Sequence, residues 1–329
     1  DFFYKKKIIE LENIRSKISL KSLFNNQFAL SEVKISSKSV PIKNLINLIR
    51  AVKNDPKLFI AEQFIKDGYI IADLDLEFNE FGNVKKNFTI NGLVNNAKIS
   101  LLDKKISKLN FIFKIKNKEL NFENIKFLLN NKNLNIPILK AEKKNSGFFI
   151  TGKLKKKDLS FKKNEIKKFT NNEFLNANLN NITFDTDVNF NFFIDKNFKF
   201  KDLDITSTNV INKLEINNFL EKKNFLPKIK NNIIFEDQKI DISYNKSKIE
   251  INGSGKIFIQ DNPDIISYKV VNKKDNYFFD LELNIIDNPV VVDLIDFEKK
   301  KQNSLNFKTK GVLKKNHLEF DEIILLENE

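Results

Sequence analysis

The chain of 329 residues has no Cys, no Met and no Trp, and a single His. Those absences remove thiolate chemistry, zinc fingers, iron–sulfur ligation and most His-based triads together. Cysteine usage is compatible with any compartment. Arg is nearly missing as well. Of 57 basic residues only Arg15 and Arg50 carry the planar fork that grips phosphates and base edges, so the net charge of +14 does not point to nucleic acid. The Lys, Asn, Ile and Phe excess reads as AT-rich coding, although the charge would aid approach to anionic lipid. The 8 Gly and 6 Pro are scattered, and no Gly/Ser-rich linker divides the chain. No apolar run reaches the roughly 20 positions of a membrane-spanning helix. Because no initiator Met is present, Asp1 is expected to be a processing product or, preferably, the edge of a fragment.

What the chain does have is 41% hydrophobic content, 33 Phe among it, arranged with a period of two. Ala72, Leu74, Leu76 and Phe78 alternate with Asp73, Asp75 and Glu77. Phe111, Phe113 and Ile115 alternate with Ile112, Lys114 and Lys116, and Phe190, Phe192 and Ile194 with Asn189, Asn191 and Phe193. Further strands are expected at 240–244, 248–251, 256–259, 277–285 and 306–313, separated by turn residues and without helical crossovers. The expected fold is mainly β: one elongated, curled antiparallel sheet over 1–329, forming a trough, with a short helical insert.

That insert is placed at 41–67. Ile42, Leu45, Ile46, Ile49 and Val52 recur at helical spacing after Pro41. Asp55 and Pro56 would open a second helix carrying Ile60, Ala61, Phe64 and Ile65, with Gly68 just beyond its end. Such a pair either plugs the end of a sheet, the favoured reading, or lies on a membrane. A loose repeat also occurs: Leu120, Phe122, Ile125; Phe198, Phe200, Leu203; Leu318, Phe320, Ile323. The three-residue step reverses the period-two phase, so a bulge or bend is expected in each copy.

No catalytic residue, metal site or cofactor emerges. Gly147 to Leu154 fits the first half of a phosphate-binding loop, but Leu154 replaces the required hydroxyl and an edge of strand with turn glycines is expected. Gly253-Ser254-Gly255 should mark a bulge between two strands. The acidic sets Asp73/Asp75/Glu77, Asp185/Asp187 and Asp202/Asp204 read as solvated strand faces, His317 as a surface residue, and Lys153 to Lys168 as a solvated edge.

The apolar strand surface is the distinctive feature. It must close into a dry core or curl around something apolar, and periodicity alone leaves both open. Leu74, Leu76, Phe78, Phe111, Phe113, Ile115, Phe190, Phe192 and Ile194 are the candidate groove-lining residues. If lipid bathes that face, Phe113→Asp should leave folding intact; in a dry core it should not.

Residues 35–46 (ISSKSVPIKNLI), 67–73 (DGYIIAD) and 88–99 (FTINGLVNNAKI), followed by the Phe-x-Phe strand at 109–115, resemble the middle region of AsmA-like proteins, especially the branch containing YhdP. The resemblance covers about the first two-thirds of the chain and rests on hydrophobic patterns. It implies a non-enzymatic envelope protein of a double-membraned bacterium, periplasmic and held to the inner membrane by an N-terminal helix that this sequence lacks. It also implies a long apolar β-groove carrying phospholipid toward the outer membrane, with envelope proteins as further partners. A structural or adhesin-like β protein with a dry core is the alternative, and a carbohydrate-active or nucleic-acid-binding β protein a distant third.

Overall fold

The computed structural model describes residues 2–4, 7–25, 27–52, 62–101, 104–129, 132–162, 165, 178–179, 181–197, 199–217, 230, 232–246, 248–273, 276–292, 295–300, 302–314 and 317–328. In chain order the elements are β1 (Phe2–Tyr4), β2 (Lys7–Ile9), β3 (Leu11–Ile18), α1 (Leu20–Phe24), β4 (Leu30–Ser37), β5 (Val40–Pro41), α2 (Ile42–Val52), β6 (Ile65–Glu77), β7 (Thr89–Leu101), β8 (Lys104–Lys116), β9 (Glu119–Leu129), β10 (Lys132–Lys144) and β11 (Gly147–Lys162). They continue as β12 (Asn178–Leu179), β13 (Asn181–Asp195), β14 (Phe200–Asn217), β15 (Asn232–Asn245), β16 (Lys248–Phe258), β17 (Asp264–Lys273), β18 (Asn276–Ile285), β19 (Val291–Val292), β20 (Phe297–Glu298), β21 (Ser304–Lys314) and β22 (His317–Asn328).

The protein is mainly β, 77% strand and 7% helix, built on a large antiparallel sheet with a short helical insert. Contacts divide it into two compact units, 1–155 with 191–201 and 156–190 with 202–329. Within the first unit β4 pairs with β3 and β6, and β6 to β11 pair in succession. Within the second, β14 to β18 pair in succession, followed by β21 and β22. Short turns between long strands make antiparallel neighbours the only reachable pairing.

The phase reversals expected from the repeat are present as bulges. Asn124, between Phe122 and Ile125, has φ 53°, and Asp202, between Phe200 and Leu203, has φ 51°. In β22 the register slips at Lys310/Gly311, leaving Asp321 between Phe320 and Ile323 without a partner position. Phe198 lies outside the described residues. Asn and Asp tolerate the left-handed conformation that such a bulge needs, and the extra residue restores apolar side chains to one face.

Four expectations are corrected. The helical part of the insert ends earlier than expected: 62–64 are helical, 53–61 lie outside the described residues, and 65–67 already belong to β6, where Ile65 pairs with Ile99 and Asp67 with Lys98. Gly68 is not a helix cap but a strand residue at φ 127°, and a Cβ there would stand 2.6 Å from the Ala97 Cα. Gly253 and Gly255 do not separate two strands. Both lie inside the continuous β16, and the irregularity falls on its partner β15 at Asp237, φ 52°. Gly147 to Leu154 is strand throughout and not a phosphate loop, but Gly152 is a mid-strand residue opposite Leu139 and not the turn glycine expected.

Candidate functional site

In the first unit the strand registers stack apolar side chains into rows across neighbouring strands. Leu74, Ile90, Ile115, Leu120, Ala141 and Ile150 form one row, and Ala72, Gly92, Phe113, Phe122, Leu139 and Gly152 the next. Alternation puts Leu76 and Phe111 on the same face. The rings meet at edges: Phe111 lies 6.2 Å from Phe113 and 5.7 Å from Phe122, T-shaped in both pairs. Gly92 is needed beneath them, because a Cβ there would come within 2.7 Å of the Phe113 ring. Phe78 packs its ring 5.6 Å from Phe28.

Phe192 and Ile194 reach the same face. The Phe193 ring lies over Gly147, on the opposite side from Ile150, so its neighbours in β13 must project to the apolar side. Phe192 stands 5.3 Å from Phe200. Phe190 is half-buried and belongs to the second unit. Eight of the nine residues singled out from the sequence thus share the apolar face of one unit. Ile90, Phe122 and Leu139 belong with them and were not singled out; Phe122 was visible in the repeat, whereas the other two emerge only from register.

One end of this face is closed by α2. Ile42 and Ile46 pack into the cluster of Val94, Ala97, Leu109, Phe113 and Ile125, while Leu48, not Ile49, is buried on the helix's other flank beside Val40. This is the plugging role, set by a stripe that is apolar at i and i+4. Phe113 is 7% exposed and lies within that cluster. Phe113→Asp would therefore bury an unpaired charge and damage folding, so the substitution separates no models. Half-buried Ile115 and Leu74, farther from the plug, are the informative positions.

The second unit has a comparable face. Gly255, Ile266, Leu283, Phe307 and Leu325 form one row, and Ile240, Gly253, Tyr268, Leu281 and Thr309 another. A polar step crosses it at β13 and β14: the Thr186 hydroxyl donates to the Asn209 side-chain carbonyl at 2.7 Å, and Asn209 Nδ2 donates to the Ile240 carbonyl at 3.1 Å. Nothing in the sequence distinguished these two residues from its many other Asn and Thr.

The opposite faces carry ion pairs. Lys34 bridges Glu32 at 3.0 Å and Asp75 at 2.9 Å, and Lys269 and Lys248 hold the Glu250 carboxyl down to about 2. Asp185 accepts the Asp158 backbone N–H at 2.8 Å, and Asp204 accepts from Asn245 at 3.1 Å. Among the described residues no cluster of His, Cys, Asp and Glu could hold a metal ion, and no helix is long and apolar enough to cross a membrane. His317 is exposed beside Glu319. Compared with protein-family models, curated proteins and solved structures, the chain matches none.

Proposed function

We propose that this protein is a non-enzymatic lipid carrier or envelope-biogenesis scaffold whose apolar β faces hold the acyl chains of phospholipid. The observation that carries the reading is the burial of its rings. Among the Phe whose burial is described, Phe113 alone is buried; the others are half-buried or exposed. A dry core hides its large apolar side chains and packs them as densely as an organic crystal. Half-covered rings in ordered rows are what a face needs if acyl chains supply the remaining contacts. The resemblance to AsmA-like proteins agrees with this reading and extends it to a periplasmic position beside the inner membrane, with an anchoring segment outside this sequence and envelope proteins as partners.

Organic extracts of the purified protein, analysed by mass spectrometry, should contain phospholipid in stoichiometric amounts. Ile115→Asp should fold and melt close to the unmodified protein and lose that lipid. Extracts without lipid from the unmodified chain would overturn the proposal. The second reading, a structural β protein with a dry core, draws on the cluster around Leu305, which is 0% exposed. It predicts empty extracts and an Ile115→Asp protein that unfolds.

A further inference from the structure

At the end of the first unit away from α2, the turns after β3, β6, β8 and β10 and the turn before β14 lie together. Backbone hydrogen bonds tie adjacent ones: Phe28 N–H to the Glu80 carbonyl at 3.0 Å, Lys143 N–H to Lys118 at 2.8 Å, and Lys196 N–H to Ser146 at 3.1 Å. Two features concentrate there. Large apolar side chains project into solvent from α1, from the turn after β6 and from the start of β14, with Phe24 83% exposed, Phe81 76%, and Leu20, Leu23 and Phe200 all more than half exposed. Around them, residues 19–29, 78–88, 116–119, 142–147 and 195–201 carry ten Lys and four carboxylates. Several of these Lys border an open depression of about 960 Å³ whose lining includes Lys85, Lys86, Phe88, Lys116 and Lys118.

We infer that this end of the first unit docks on the surface of an anionic lipid bilayer, with Phe24, Phe81 and their apolar neighbours entering the interface and the Lys rim meeting the headgroups. An apolar tip within a basic rim is complementary to acyl chains lying beneath negative charge. Lys can keep its ammonium at headgroup level while its stem covers apolar surface. An acidic protein surface fits less well. Protein interfaces deplete Lys, and ten Lys frame these apolar side chains. The exposed apolar side chains also come from three elements, α1, the turn after β6 and the start of β14. The inference goes beyond lipid carriage and does not require it.

The test is co-sedimentation of the full chain with phosphatidylcholine vesicles and with vesicles that also contain phosphatidylglycerol. The protein should pellet with the anionic vesicles alone and be released by salt. Phe24→Ser with Phe81→Ser, and separately Lys85→Glu with Lys86→Glu and Lys118→Glu, should each weaken partitioning by about tenfold or more, with melting unchanged. No pelleting of the unmodified chain, or unchanged pelleting of either variant, would overturn the assignment. So would binding to soluble polyglutamate that needs the Lys but ignores the Phe pair, the behaviour of a surface for an acidic protein. Lipid in organic extracts is a separate readout: extracts still carrying lipid from a chain that ignores vesicles would remove the docking surface and leave lipid carriage standing.

Discussion

The two units close an end of their apolar faces by opposite means. In the first, α2 inserts Ile42 and Ile46 among Val94, Ala97 and Leu109, a plug made by apolar contact. In the second, the segment after β18 brings Val290, Val292 and Phe297 against Leu283 and Leu305, but a buried polar latch holds it. Asn288, 1% exposed, donates to the Asp264 carboxylate and to the Asn262 carbonyl, both at 2.8 Å, and accepts the Asn262 N–H at 3.1 Å. Buried Lys299 donates to the carbonyls of Asn303 at 2.7 Å and Ile286 at 2.8 Å, and Gln260 donates to that of Pro289 at 3.0 Å. A greasy plug tolerates adjustment because dispersion contacts are many and non-directional. The latch is all or nothing, since each lost partner strands another buried polar group.

The contrast can be broken from the polar side first. Asn288→Ala should destabilise the protein by about 4 kcal/mol, because it removes three hydrogen bonds and takes the side-chain donor from the buried Asp264 carboxylate. Urea unfolding measures this, and Asn288→Asp should not rescue it. Ile46→Ala in the apolar plug should cost less, about 3 kcal/mol for a cavity that a shift of α2 itself can partly close. Equal losses from both substitutions would remove the distinction between the two plugs.

The latch should also respond to pH in a way the apolar plug does not. Burial pushes the Asp264 carboxyl above its ordinary value of 3.8, outweighing the Asn288 donor and the Lys299 charge. A carboxyl raised on folding contributes stability that is complete below its unfolded value and lost as pH rises through the folded value. Asp264→Asn should accordingly gain stability relative to the unmodified protein as pH is raised from 3 toward neutrality, read as a widening gap between melting temperatures. A constant gap would place Asp264 outside the latch.

Glu250 has the opposite sign and the smallest effect. Its carboxyl is held at about 2 by Lys269 and Lys248 on the solvated face, so its contribution is present above its unfolded value near 4.5 and fades as pH falls toward 2. Glu250→Gln should leave melting near neutral pH almost unchanged, because exposed ion pairs contribute little, and differ from the parent in acid alone.

How far the fold could be read from residues follows the range of the forces involved. Period two in Leu74 to Phe78 and Phe111 to Ile115 identified both strands and the face they share, since alternation is a property of a single strand. The three-residue step past Phe122 and Phe200 located two bulges because a phase reversal is also local. Gly68 misled: a glycine after an amphipathic run suits a helix cap, and its actual requirement, the approach of Ala97 across β7, lies 29 positions away. Phe113 misled differently. Its spacing matched Ile115, and only α2 settling over one end of the face separates a buried ring from half-covered ones.

The sequence by itself therefore determined a β protein, its strand faces, its bulges and the apolar character of one helix, because each is written in spacings of two to four residues. Tertiary structure alone decided which apolar residues are hidden, which of many Asn and Lys become a buried latch, and which turns gather their Phe and Lys at one end. Those outcomes depend on register between strands and on loops meeting across the sheet. Hydrogen bonds and desolvation act there between residues far apart in the chain, and no local pattern records them.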